Sequence, residues 1–439
     1  MSSSLAALIG LVLAIILILK KVSPVYSLML GAIAGGLMAG TGLAGTITNM
    51  IDGVKGITPA ILRILAAGVL SGVLIKTGAA ETISRMIVKK LGSKRVYLAL
   101  ALATMILCAV GVFIDVAVIT VAPIALMIVR DTKVPIAKVL LAMIGGGKCG
   151  NIISPNPNTI VAAENYNADL SIVMASGIIP AILGLLITVY VIIPLFPDHL
   201  GKSHSSKLSS ATPSSDNLAS ENAILDNSID DDVHVEGLPS FGASIIGPLV
   251  TILLLAMRPL FNIAIDPLVA LPVGGLVGIL ATRSWSKAGE SIGFGLEKMS
   301  TVAILLVGTG TIAGVINASD MKDVVVGFLE RWNIGGTFMA PISSALMSAA
   351  TASSTAGSTI ASASFASTVL AAGIPAAWAA AMTNAGATVL DHLPHGSFFH
   401  ATGGSVGMSI KDRLRLIPYE SLVGLILTIL SVVTYLILG

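Results

Sequence analysis

Apolar residues run along this chain in long blocks, and the polar interruptions between them are short. Runs such as 5–19, 178–193 and 422–438 are long enough, or nearly so, to cross a bilayer core, which takes about 20 apolar residues. The pattern predicts spans at about 5–19, 25–50, 57–77, 135–166, 170–196, 241–257, 264–281, 300–318, 375–408 and 416–438. Two further stretches, about 96–130 and 335–372, are apolar but broken at their centres, around Gly111–Asp115 and Ala350–Ser358. Both predict re-entrant hairpins that enter and leave a membrane on the same side. The expected fold is an all-α polytopic membrane protein.

One interruption organises the rest. Residues 145–158, GGGKCGNIISPNPN, are rich in glycine, proline and amides, yet helix-like apolar sequence flanks them at 136–144 and 159–163. A helix that breaks inside a membrane exposes backbone groups that lipid cannot satisfy. It survives where it is packed in protein or lines a wet cavity, and in transporters that cavity holds the substrate. A matching break is expected near 385–397.

The two breaks belong to a repeat. Residues 134–146, VPIAKVLLAMIGG, align with 374–386, IPAAWAAAMTNAG, at an offset of about 240, where Asp115 also meets Thr355. Gly72–Val–Leu–Ile matches Gly314–Val–Ile–Asn. Five spans and one hairpin per half are an odd number of spans, so the second copy is expected upside down. That is an inverted-topology repeat with its broken helices at the midplane. The expected division is 1–197 for the first repeat, 198–240 for a polar, Ser-rich cytoplasmic linker, and 241–439 for the second repeat.

Composition agrees with the pattern. The chain has 439 residues, of which 55% are hydrophobic and 11% charged, and its mean hydropathy is +0.94. A soluble protein carries about 25% charged residues, so this chain cannot cover a water-facing surface. The first apolar run has no basic stretch before it and no small-residue cleavage site after it, so it reads as an uncleaved span. Net charge of +2 gives no reason to expect nucleic acid. Cys108 and Cys149 fall in apolar sequence, against a disulfide framework or a cysteine metal site. Lys20 and Lys21 put the first loop in the cytoplasm, and most Lys and Arg then fall inside. The exceptions are Lys55, Arg63, Arg258, Lys322 and Arg331 outside, and Lys148 within the membrane. Both termini are then periplasmic.

Candidate chemistry gathers at the breaks and hairpin tips. Lys148 is a basic residue at membrane depth, where charge is costly and usually functional. Either it attracts an anionic substrate, or a structural carboxylate neutralises it. Asn151, Ser154, Asn156 and Asn158 add amides and a hydroxyl suited to a polyhydroxylated solute, and Pro155 and Pro157 keep the backbone from closing into a helix. The second break offers Asn384, Asp391, His392, His395 and Ser397. Asp391 beside two histidines suits a proton relay. With His400 nearby it leaves zinc open, though without a third ligand at fixed spacing. Asp115 is a lone carboxylate that either carries a coupling proton or pairs with Lys148. Ser353, Ser354, Thr355 and Ser358 form a hydroxyl-rich tip. A proton symporter for a small hydroxylated carboxylate, an intramembrane metal hydrolase and a passive channel all remain open at this point, the first best matched by the discontinuous helices.

The 145–158 motif, the Phe113–Ile–Asp115 tip and Asp391–His–Leu–Pro–His–Gly–Ser397 together resemble the bacterial gluconate permease family, within the wider ion-transporter superfamily. The resemblance implies proton symport of gluconate or a related sugar acid across the bacterial inner membrane, with some relatives carrying D-serine. It also implies a scaffold that forms a homodimer, hairpins and broken helices that move like an elevator, and no cofactor beyond the proton. Sodium-coupled relatives in the superfamily have Ser-Asn-Thr at the hairpin tips. Phe113–Ile–Asp115 and Ser353–Ser–Thr355 stand there instead, which favours protons.

Overall fold

The computed structural model describes residues 2–20, 22–92, 95–132, 134–197, 237–320, 336–394 and 396–439. Most of the 198–240 linker, and His395, therefore lie outside the described residues. Among the described residues all regular structure is helical. The first half contains α1 (Ser3–Leu19), α2 (Pro24–Met38), α3 (Gly42–Lys76), α4 (Ala79–Leu91), α5 (Val96–Ala109), α6 (Ile114–Thr132), α7 (Ile136–Asn151), α8 (Pro157–Asn165), α9 (Leu170–Ser176) and α10 (Ile178–Ile187). A π-helical turn at Thr188–Ile192 carries α10 into the short α11 (Ile193–Leu195). The second half contains α12 (Phe241–Phe261), α13 (Pro267–Ala281), α14 (Ala288–Asn317), α15 (Met339–Thr351), α16 (Ser354–Ala371), α17 (Ala376–Ala387), α18 (Ser397–Ser405), α19 (Ile410–Leu414) and α20 (Ile417–Leu438).

Among the described residues, four helical stretches are long and apolar enough to cross a membrane: Gly42–Lys76, Leu170–Leu195, Trp285–Asn317 and Ile410–Leu438. The outer surface is apolar too. Leu253, Leu260, Leu280, Leu346 and Ile437 are each more than half exposed, which suits lipid and not water.

The long helices α3 and α14 run antiparallel through the middle of the molecule. Gly53 lies against Gly310 and Gly314, Gly68 against Gly295, and Gly72 against Ser291. A Cβ on Gly72 would stand 2.1 Å from the Ser291 carbonyl oxygen, so the two backbones meet directly. This contact changes the expected boundaries. The pattern placed a gap near residues 50–57, but α3 passes through Gly53 and Pro59 unbroken, and the turn comes earlier, at Ala39–Thr41. Glycines that read as breakers are the contact surface for α14.

The two stretches expected as re-entrant hairpins each form a helix–turn–helix pair. The α5–α6 turn is at 110–113, with Gly111 at φ +103°. The α15–α16 turn is at Ala352 and Ser353, with Ala352 left-handed at φ +47°. The two expected broken helices are α7–α8 and α17–α18. The starts of α6 and α16, of α7 and α17, and of α8 and α18 are each 240 residues apart. Contacts repeat as well: α5 packs along α7 as α15 does along α17, and α16 rests on α8 as α6 rests on α18.

The glycine run 145–150 is the second difference. It is helical, and the break itself is confined to 152–156. Gly146 and Gly150 bring α7 against the backbone of α5, where a Cβ would stand 1.9 Å from Ala101 O and 2.1 Å from Met105 O. Two prolines and the side-chain cap of Asn156 then restart the chain as α8.

Candidate functional site

Lys148 is fully buried in the last turn of α7. Its ammonium meets Asp391 Oδ1 at 2.7 Å, His392 Nδ1 at 3.0 Å and Glu420 O at 3.4 Å, and it donates to Thr388 O. Thr388 is the C-cap of α17. Lysine thus joins the C-terminal ends of α7 and α17, the first halves of the two broken helices, where unpaired carbonyls favour a cation. The pairing expected for Asp115 goes to Asp391 instead. His392 places Nε2 3.1 Å from both Ile417 O and Ser421 Oγ, and Nδ1 3.1 Å from Asp391 Oδ1. A carbonyl can only accept, so the neutral ring carries its proton on Nε2 and Nδ1 accepts from Lys148.

The next element outward is a second buried pair that the sequence pattern did not single out. Arg413 binds Glu420 through both Nη1 and Nη2, donates to Thr402 Oγ1 at 3.2 Å, and lies 4.8 Å over the Phe399 ring. Two charged residues beside an apolar run were its signal. α18, α19 and α20 are tied together by it.

One turn beyond Lys148, the polar residues of the first break form a different kind of cluster. Asn156 holds the break closed: its Nδ2 donates to Asn151 O at 2.8 Å and Oδ1 at 2.6 Å, while its Oδ1 accepts from Thr159 N. The second hairpin tip reaches this point. Thr355 Oγ1 donates to Asn158 Oδ1 at 2.6 Å, and Ser358 Oγ donates to Asn158 O at 3.3 Å. From α17, Asn384 Nδ2 donates to Thr159 Oγ1 at 2.9 Å. Tyr166 and Thr383 close the far end of α8 at 2.9 Å.

Among the described residues, five buried polar atoms here find no hydrogen-bond partner: Asn151 Nδ2, Ser154 Oγ, Asn158 Nδ2, Thr359 Oγ1 and Asn384 Oδ1. Leaving such a group unpaired costs about 1–3 kcal/mol each, and these five, on α7, the turn after it, α8, α16 and α17, are groups that a polar ligand could satisfy. Thr359 was not singled out from the sequence, although it stands four residues after Thr355 and so on the same face of α16.

The remaining expected residues fall at the edges. Ser353 caps α16 by accepting from Ala356 N, and Ser354 opens that helix. Asp115 occupies the same place in α6 that Thr355 occupies in α16, the second residue, and is half-buried. Ser397 opens α18 and is exposed. Gly396, just before it, lies against Ala352, so the second hairpin tip also touches the second break. Among the described residues no group of three or more His, Cys, Asp or Glu is arranged to hold a metal ion.

Farther along α8, a cavity of about 280 Å³ lies among Arg63, Glu164, Asp169, Leu255 and Asp266. Arg63 bonds Asp266 through Nε at 3.0 Å and Nη2 at 2.7 Å, and Glu164 through Nη1. The Arg63 hydrogen bonds hold the Asp266 carboxyl below the usual carboxylate range, against the opposing effect of its partial burial.

Comparison with known proteins gives this site a context. Residues 3–438 match the family model of GntP family permeases. An uncharacterized transporter of Haemophilus influenzae is 52% identical over 99% of this chain and 98% of its own. The high-affinity gluconate transporter of Escherichia coli K12 is 23% identical over 96% of both chains. The crystal structure of the Alcanivorax borkumensis YdaH transporter, described as having an unusual topology, is similar in fold, with a TM-score of 0.60 at 16% identity over 89% of this chain and 88% of that one.

Proposed function

The chain belongs to the GntP permease family, and from that premise we propose that it is a secondary transporter bringing gluconate or a related sugar acid into the cell with protons. It is an integral membrane permease and not an enzyme, as its family and relatives are. The observation that carries the substrate reading is the set of five unpartnered polar atoms at the first break. Asn151 and Asn158 offer N–H donors, Asn384 a carbonyl acceptor, and Ser154 and Thr359 hydroxyls that do either. A polyhydroxylated carboxylate needs that mixture. The first-turn amides of α8 and α16 add the positive ends of two helices for its carboxylate. Asn156, Ser353, Ser354, Thr355, Ser358 and Ser397 frame the site and its hairpin gate. Lys148 serves this site indirectly, by holding α7 to α17, since its donors are taken up by protein acceptors.

Proton coupling rests on the same joint. A proton added at His392 Nδ1 turns that atom from acceptor into donor, directed at Asp391 Oδ1 and in competition with Lys148. Asp391, His392, the neighbouring His395 and Asp115 are the proton-handling groups of this reading, with no metal or cofactor.

Alternating access by an inverted repeat is supported by two relations. Helix boundaries recur at an offset of 240, and the corresponding helices α3 and α14 run antiparallel, as copies of opposite orientation must. The hairpins and broken helices move as an elevator against α3, α14 and a dimeric scaffold in the inner membrane, with both termini periplasmic.

Uptake of radiolabelled gluconate into proteoliposomes under an inward proton gradient, without sodium, tests this function. Accumulation abolished by a protonophore supports it. Accumulation of D-serine or another aldonate in place of gluconate moves the substrate within the family, and equilibration without accumulation makes the protein a passive channel.

A further inference from the structure

Arg63 links three elements at once. It lies on α3, which is fixed along α14 by backbone contact at Gly53, Gly68 and Gly72. Its guanidinium takes Asp266, the N-cap of α13, in a two-point grip, and Glu164 near the end of α8 with its remaining Nη. α8 is the helix that carries Asn158 and the unpartnered site. Arg63 therefore couples the position of that helix to α3 and α13, some two turns away from the substrate groups.

The link has no counterpart in the other half. At the repeat offset, Arg63 corresponds to the apolar stretch Ala303–Ile304–Leu305 and Glu164 corresponds to Gly404. Asp266, the residue before α13, corresponds to Ser23, the residue before α2. None of these is charged. In a transporter built from two inverted copies, the two access states arise when the copies exchange conformations, so a bond present in one copy alone exists in one state alone. A contact that differs between two states shifts their populations by its differential free energy.

We propose that Arg63, gripping Glu164 and Asp266 together, is a one-sided latch: it holds the site-bearing helix α8 against α3 and α13 and biases the protein toward the conformation described here. This rests on the alternating-access reading above. The surroundings suit a bond that must open. Arg63 and Glu164 keep 26% and 21% of their side chains exposed, and the adjoining cavity of about 280 Å³ has room for water to take over the freed charges. A partly solvated pair of this kind shifts a two-state balance by at most about fivefold and does not lock it.

Leu255 supplies the probe. It is buried on α12, lines the same cavity, and faces the region where α9 packs against α12. When α8 and α9 withdraw, Leu255 is uncovered. The experiment is the alkylation rate of L255C by a membrane-permeant maleimide, in proteoliposomes and without substrate, alone and combined with E164Q or R63K. The parent protein measures any background from Cys108 and Cys149, both fully buried. The expected result is an increase of about fivefold with either added substitution. E164Q keeps the side-chain volume, and R63K keeps the charge while losing the two-point grip, so one of them reports even when the other fails to fold. Unchanged rates in folded L255C/E164Q and L255C/R63K overturn the latch. Because no substrate is present, that outcome stands apart from the uptake assay, whose failure would count against the transport reading instead.

Discussion

Lys148 donates to the main-chain oxygen of Thr388, and the two stand 240 residues apart, at the same place in the two broken helices. The contact joins the last turn of α7 to the C-cap of α17, and Asp391 neutralises the lysine there.

A buried charge whose partner is removed costs about 3–5 kcal/mol, whereas removing both partners is often neutral. K148M should therefore lower the melting temperature of the detergent-solubilised protein sharply. K148M/D391N should recover most of it, because the stranded carboxylate becomes an amide. Fluorescence-detected gel filtration after a heat ramp reads this directly. A double variant no more stable than K148M would show that the ammonium contributes more through Thr388 and Glu420 than through Asp391.

Gly146 should be intolerant for a reason that adjacent Gly145 and Gly147, which face side chains, do not share. G146A puts a Cβ 1.9 Å from Ala101 O, a main-chain atom that cannot turn aside, so α7 must leave α5. G56A, in the middle of α3, meets nothing within 4 Å and should be neutral or stabilising by about 0.5–1 kcal/mol. Yield and melting temperature of the two proteins, side by side, decide it. A well-folded G146A would mean that α5 and α7 are not held at this separation.

That pair of glycines also marks how far the sequence could be read. Apolar runs, the turns within 96–130 and 335–372, the two breaks and the offset of about 240 between helix starts were legible because each is a local pattern or a repeat of one. The role of a glycine was not, since Gly146 and Gly53 look like helix breakers until a second helix is placed against them. Lys148 and Asp391 were each singled out, but their pairing spans 243 residues and no spacing rule reaches that far. Arg63 was counted only as a basic residue outside the membrane. Its two carboxylates come from α8 and from the turn before α13, which meet it only in the folded chain.

Thr355 to Asn158 is the shorter of two bonds, with Ser358 to Asn158, that join the second helix–turn–helix pair to the site. T355V keeps the shape but removes the donor, leaving Asn158 Oδ1 unpaired at a cost of about 1–3 kcal/mol. If the bond orders the site before substrate arrives, T355V should raise the KM for uptake about tenfold with a smaller change in maximal rate. N158A, which also removes the free Nδ2, should lose more. Initial rates across a concentration series separate the two parameters. An unchanged KM in T355V would leave the hairpin tip outside the substrate site.

Asp266 gives the latch a defined acid limit. Its carboxyl is held below the usual range chiefly by the hydrogen bonds from Arg63. A group whose folded value is depressed contributes stability that is present above the unfolded value, about 3.9 for Asp, and lost as pH falls through the lower folded value. The contribution is thus complete from pH 5 upward and disappears between about pH 4 and the folded value. D266N isolates the charge, because asparagine caps a helix as well as aspartate does and α13 keeps its first turn. Glu164 is the same in both proteins, so the difference between their curves belongs to Asp266. Melting temperature measured from pH 8 to pH 3 should show parent and D266N running parallel down to about pH 5, then the parent falling more steeply and the gap closing. Curves that stay parallel to pH 3 would mean that Arg63 gains nothing from the charge of Asp266, and that Glu164 alone holds the latch.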